Sequence, residues 1–333
     1  MRYINTILIV VTILGYGCKY LVSDNLNEIK SPIKDNWIKV YDNSSLLLTG
    51  ITFVDDTTGY AVGAIGCMLK TTDSGENWSI IDSIETPSPS FTDIAFFDKY
   101  IGLAVGSAGR ISRTSDGGVT WNTSYLSLGN RISNICIIDE HVCFCTMGNL
   151  IYKSSDTGLK WDEVYSYPNP YLVFTELSFG SKDVGYGVLA RTGENMSGDI
   201  IKTTNNGSEW SLLSVETTPA YMSCYFITNK IGYVSDLDGK LYKTTDSGNS
   251  WFFPSSVTLD GYTKLHFFTE NTGYGCKLNG ELIKSIDGGM SWEKVISGNL
   301  SSINAICYNQ KSKSLFVVGN EGKIYKCSNP FFN

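Results

Sequence analysis

Short runs of apolar or alternating residues, each ended by Gly, Asn, Asp or Ser, follow one another along most of this chain. That is the pattern of strands joined by tight turns. One set shows the grammar: Ile51-Thr52-Phe53-Val54, a turn, Gly59-Tyr60-Ala61-Val62-Gly63, then a strand through Met68-Leu69-Lys70. A polar box closes the set, Lys70-Thr71-Thr72-Asp73-Ser74-Gly75-Glu76-Asn77-Trp78, and the box returns at Arg113 to Trp121, Lys153 to Trp161, Lys202 to Trp210, Lys243 to Trp251 and Lys284 to Trp292. Self-similarity with a period of about 40 residues marks a propeller or a solenoid.

With a fourth strand after each Trp, every unit supplies four strands, and the last unit is cut short. Ile324-Tyr325-Lys326-Cys327-Ser328-Asn329 keeps the register of the box but stops before any Trp. The missing piece stands at the other end, where Trp37-Ile38-Lys39-Val40 resembles Trp292-Glu293-Lys294-Val295 and precedes Trp78 by 41 residues, the same spacing as Trp210 to Trp251. The pattern therefore predicts an all-β, seven-bladed propeller of four-stranded blades over residues 37–333, closed without a free edge by the N-terminal strand completing the last blade. Pro87, Pro89, Pro168, Pro170, Pro219 and Pro254 fall between units, and Pro32 and Pro330 near the ends, so none interrupts a ladder.

The box reads as a turn between the third and fourth strands. Its Asp (Asp73, Asp116, Asp156, Asp246 and Asp287, with Asn205 in the fourth copy) accepts backbone N–H groups, and a Gly such as Gly118 takes the positive φ. The Trp residues (Trp78, Trp121, Trp161, Trp210, Trp251 and Trp292) point into the stack, with Trp37 at the closure. The run of acidic ligands and the closing Glu of a calcium loop are missing. These boxes resemble the Asp-box (BNR) repeat of bacterial sialidases and, over residues 37 to 329, more closely the seven-bladed photosystem II stability and assembly factor family. The second resemblance implies a scaffold that binds a protein or peptide partner. The first leaves an alternative, a glycoside hydrolase or sialidase-like enzyme, although the Arg-Ile-Pro signature of sialidases is absent.

A formal charge of −7 removes nucleic acid from the partner classes. At the N-terminus a basic start, the apolar run Ile7 to Leu14 and Gly15-Tyr16-Gly17-Cys18 predict a secretory signal over 1–17, followed by a linker over 18–36. Cys18 stands where a lipoprotein signal lipidates its Cys, though Leu14 lies four residues before it, and simple secretion is the other reading. A cell-envelope lipoprotein facing the periplasm or the cell surface is expected, monomeric and membrane-bound only through its lipid. The remaining eight cysteines show no C-x-x-C pair, and two histidines, His141 and His266, supply no metal set, so neither cofactor nor metal is expected.

Catalytic residues are scarce, and the candidate chemistry is recognition. Arg113 takes the repeating basic position and reads as structural, while Arg110, Arg131 and Arg191 fall in connections that a propeller places on the face opposite the boxes. Beside them lie the aromatic connection with Tyr167 and Tyr171 and an insertion, Thr192 to Asp199, carrying Glu194 and Asp199. The expected ligand is a peptide, a protein or an anionic glycan bound on blades two to four. Glu194 and Asp199 also offer an acid pair for glycoside cleavage.

Overall fold

The computed structural model of the chain describes residues 37–81, 90–127, 129–191, 196–213, 219–253, 263–277, 279–296, 302–328 and 330. Among them the strands form seven antiparallel sheets and no α-helix. The signal and linker segments, Cys18 and Glu194 lie outside the described residues.

The first strands of the sheets are Leu48–Phe53, Phe91–Phe96, Ile132–Ile137, Val173–Phe179, Tyr221–Phe226, Thr263–Phe267 and Ile303–Asn309. Each packs beside the next, and the seventh packs beside the first, so these inner strands surround a central channel. In blade 7 the order from the channel outward is Ile303–Asn309, Ser314–Gly319, Lys323–Ser328 and then Trp37–Asp42. Trp37 lies opposite Cys327 and Asp42 opposite Lys323, so the N-terminal strand does close the ring. Six sheets have four strands; in blade 5 the third strand, Leu241–Thr244, meets an isolated bridge between Lys243 and Phe252 in place of a fourth.

Apolar side chains fill the contact between blades. Tyr60 stacks on Phe96, Phe144 on Phe179, Tyr186 on Phe226 and Tyr233 on Phe267, each pair joining a second strand to the next blade's inner strand. The box Trp closes four of these contacts edge-on: Trp121 against Phe96, Trp210 against Phe179, Trp251 against Phe226 and Trp292 against Phe267. Aromatic pairs in this geometry contribute roughly 0.5–1.5 kcal/mol beyond the area they bury.

Within the first box, Thr71 Oγ1 donates to Asp73 Oδ1 at 2.8 Å and receives the Gly75 N–H at 3.0 Å, while Asp73 accepts the Asn77 N–H at 2.9 Å. Two residues after each of these acidic positions turn left-handed, as at Gly117 (φ 67°) and Gly118 (φ 74°). A Cβ at Gly118 would stand 2.8 Å from the Tyr60 ring, so the turn needs glycine for space as well as for φ.

The basic residue that opens each box reaches into the next blade. Lys70 Nζ donates to the Gly117 carbonyl at 2.9 Å, Arg113 Nε to Thr157 at 2.9 Å, Lys153 to Asn206 at 2.9 Å, Lys202 to Ser247 at 2.9 Å and Lys243 to Gly288 at 3.1 Å. Lys284 donates to the Pro330 carbonyl at 2.9 Å, and Lys326 completes the circle on Ser74 at 3.0 Å. Six of the seven acceptors are the first left-handed residue of a box, whose carbonyl the turn directs at the preceding blade. Hydrogen bonds with one charged partner contribute roughly 1.5–3 kcal/mol each.

Candidate binding face

Inner strands begin, and second strands end, on the face opposite the boxes. Arg131 sits just before Ile132–Ile137, Arg191 ends the second strand Gly185–Arg191, and Arg110 begins the third strand Arg110–Thr114. Position in the fold is shared, but presentation is not. Arg131 is exposed, whereas Arg110 is only 2% exposed. Its Nε donates to Ser112 Oγ at 3.1 Å, its guanidinium lies 4.2 Å from the centre of the Phe91 ring, and burial pushes its pKa down. Arg110 is therefore packed into blade 2 and withdrawn from the surface opposite the boxes, because Ser112 and Phe91 offer it a polar and a π partner inside.

Arg191 is half-buried, its guanidinium 5.1 Å from the centre of the Tyr171 ring, and Tyr171 is 70% exposed. Together they form one side of a cavity of about 440 Å³ completed by Val173, Thr175, Ala190 and Met222, at the contact of blades 4 and 5. Thr175 Oγ1 donates to the carbonyls of Val188 and Tyr221, at 3.2 and 3.0 Å, which joins the two blades beneath the cavity. The lining is thus mostly apolar with one cationic head.

Tyr167 and Asp199, from the same connection as Tyr171 and from the third strand of blade 4, form a second pair. Tyr167 is buried, and its hydroxyl donates to Asp199 Oδ2 at 2.5 Å. Burial, with the Asp199 carboxylate beside it, pushes the Tyr167 pKa up. Asn149 Nδ2 donates to the Tyr167 carbonyl at 2.8 Å, so the connection that carries Tyr171 is tied to blade 3 at one point and to blade 4 at another. Asp199 serves here as an acceptor that fixes a loop. Of the residues singled out from the sequence, the structure brings Arg191, Tyr171, Tyr167 and Asp199 together and leaves Arg110 and Arg131 apart.

A second polar group was not legible in the sequence. Asp93, Asn134, Glu176 and Ser223 project from successive inner strands, and each accepts the N–H of a residue on the next: Ile135 at 3.1 Å, Leu177 at 3.3 Å, Cys224 at 3.1 Å and Leu265 at 3.4 Å. Lys264 Nζ, from the inner strand of blade 6, lies 3.6 Å from Glu176 Oε1 of blade 4. Those blades flank blade 5, so the pair reaches past its inner strand on the channel side. The available signal was a polar residue at one register of otherwise apolar strands, as in Phe91-Thr92-Asp93-Ile94.

Among the described residues no group of three or more His, Cys, Asp or Glu is placed to hold a metal ion, and no helix is long and apolar enough to cross a membrane. None of the eight described cysteines forms a disulfide. His141 is exposed beside Glu140, at 3.8 Å.

No protein-family profile matches this sequence, and no curated protein matches it either. Solved structures do match. YCF48 bound to D1 peptide is 17% identical, with a TM-score of 0.71, covering 93% of this chain and 99% of that one. YCF48 from Cyanidioschyzon merolae is 18% identical at a TM-score of 0.71, covering 88% and 98%. The GH74 xyloglucanase of Xanthomonas campestris is 14% identical at a TM-score of 0.69, covering 90% of this chain and 54% of that one. At such identities what is shared is the fold, and the chain is a seven-bladed β-propeller closed by its own N-terminal strand.

Proposed function

We propose that this chain is a non-catalytic binding scaffold of the cell envelope, exported and held at a membrane by lipid on Cys18, which captures a peptide or protein segment in the cavity between blades 4 and 5. The observation that carries the reading is the Arg191 guanidinium set over Tyr171 at the rim of an apolar cavity. A rigid aromatic with a planar fork of donors suits an extended segment bearing a carboxylate, and the volume takes a few apolar side chains with it. The likeness to a propeller solved with a peptide bound supports this choice of partner. An anionic glycan is the other ligand with matching chemistry. Glycoside cleavage has the likeness to a xyloglucanase behind it, but among the described residues no acid lines the cavity and Asp199 is engaged by Tyr167.

The test is a fluorescence-polarisation screen of a peptide library with free C-terminal and internal carboxylates, beside a panel of anionic oligosaccharides. Arg191→Ala and Tyr171→Ala should each weaken the best peptide at least tenfold, roughly the 1.4 kcal/mol or more that a central aromatic or Arg contact supplies. Arg110→Ala should leave affinity unchanged and lower the melting temperature. Equal affinity in all four proteins would remove the cavity from consideration, and a preference for oligosaccharides would change the partner class.

A further inference from the structure

Beneath the cavity the channel holds charges that peptide capture does not use. Glu176 follows Thr175, a cavity residue, and its Oε2 receives the Ser223 hydroxyl at 2.6 Å and the Cys224 N–H at 3.1 Å. Met222, in the cavity wall, is the residue between Tyr221, whose carbonyl Thr175 holds, and Ser223, which Glu176 holds. Glu176 Oε1 faces Lys264 past the inner strand of blade 5, and the Glu176 side chain is 13% exposed. The field of Lys264 also reaches Asp93 on blade 2 and the Cys276 thiol beside it on blade 6. Asp93 in turn acts on Glu176 and receives Asn134 Nδ2 at 3.4 Å.

We infer that Asp93, Glu176 and Lys264 form a charge cluster in the channel, whose net charge changes sign as its two acids take up protons and whose state is felt at Met222. With both acids ionised the cluster carries −1; with both neutral it carries +1. Burial is the leading cause that raises both carboxyl groups above their ordinary range, and Lys264 opposes it. Neutral forms are therefore reached above the pH at which exposed carboxylates protonate. The proton goes to Oε1 of Glu176, since Oε2 already accepts two donors. An O–H there confronts the Lys264 ammonium, so that contact opens while the bonds to Ser223 and Cys224 remain. A cluster turned positive favours an anionic segment at Arg191, a consequence that rests on the peptide reading; the titration itself does not.

Methionine-methyl NMR on the whole protein from pH 4 to 8, with Met222 assigned by Met222→Leu, tests the inference without a ligand. In the native chain the Met222 methyl should shift with a midpoint above about 4.3, the ordinary glutamate value. Glu176→Gln, which keeps an acceptor oxygen for Ser223, should abolish or halve the shift, and Lys264→Met should raise its midpoint. Asp93→Asn should lower the midpoint and serves if Glu176→Gln fails to fold. A flat Met222 resonance, or midpoints that none of these variants moves, overturns the cluster. If the titration follows the variants and no peptide binds at either pH, the peptide reading fails alone.

Discussion

The box aspartates show how a single side chain fixes a turn and what solution condition undoes it. Asp73 accepts the Asn77 N–H and the Asn77 side-chain amide, and these bonds hold its pKa down at about 2. Asp116 is likewise held at about 2 by the Thr120 hydroxyl and N–H. An unfolded Asp titrates near 3.9, so the folded value is the depressed one. The linked stability is fully present above the unfolded value and is lost as pH falls from about 4 toward 2. Urea midpoints measured across that window should fall steeply for the native chain and less steeply for Asp116→Asn. Parallel profiles for the two proteins would show that Asp116 carries no such linkage. Asp93 and Glu176 slope the other way, because their raised folded values favour the fold toward lower pH. Single residues also explain why the proposed binding face was only partly legible. Arg191 and Tyr171 were visible as an Arg and an aromatic in adjoining connections. Arg110 belongs to the same kind of connection, and only coordinates reveal that Ser112 and Phe91 draw it inward.

Among the box turns, the fourth is a compensated exception. Five boxes place Asp opposite a residue four positions on that donates to it: Asn77, Thr120, Lys160, Ser250 and Ser291. In the fourth, Asn205 Nδ2 donates to Glu209 Oε2 at 3.3 Å while its Oδ1 still accepts the Glu209 N–H at 2.9 Å, so amide and carboxylate have exchanged roles. Asn205→Asp should set two carboxylates face to face and cost about 1 kcal/mol, the scale of an exposed charge pair with its sign inverted. Adding Glu209→Ser should recover most of that, since Ser250 and Ser291 supply a hydroxyl to the same carboxylate oxygen in their own boxes. Urea unfolding of the two single variants and the double variant measures the coupling. Strict additivity would deny it. Box, Trp spacing and strand count could all be read along the chain because each repeats in side chains. The staples between blades could not, because Lys70, Lys153 and their equivalents end on backbone carbonyls, which leave no signature at the accepting position. The channel cluster was hidden for a related reason: it joins blades 2, 4 and 6, a relation no spacing along the chain expresses.

Closure belongs to the whole molecule, and the blade 7 to blade 1 contact carries more polar bonds than apolar stacking alone requires. Lys326 Nζ donates to the Ser74 carbonyl and to Glu76 at 2.6 Å, Asn309 Nδ2 to the Asp56 carbonyl at 2.8 Å, and Asn304 Nδ2 to the Leu48 carbonyl at 2.7 Å. Their donors stand on the third and inner strands of blade 7 and their acceptors on the inner strand and turns of blade 1; none of these bonds involves Trp37–Asp42. The N-terminal strand holds the ring differently, by covering the outer edge of Lys323–Ser328 and packing Trp37, Val40 and Tyr41 against the cores of the last blades and the first. Removing it exposes a row of unpaired backbone groups and the apolar surface beneath Trp37. A chain beginning at Trp37 should therefore melt within a few degrees of the full chain. One beginning at Asn43 should lose several degrees, since about 3 kcal/mol for the buried part of a Trp shifts the midpoint of a chain this size by roughly one and a half times as many degrees. A synthetic peptide spanning Trp37 to Asp42, added in excess, should recover part of that loss by refilling the edge. Differential scanning calorimetry on the three chains decides the matter. If the two truncations melt together, the blade 7 to blade 1 bonds alone hold the circle and the N-terminal strand is only laid upon it.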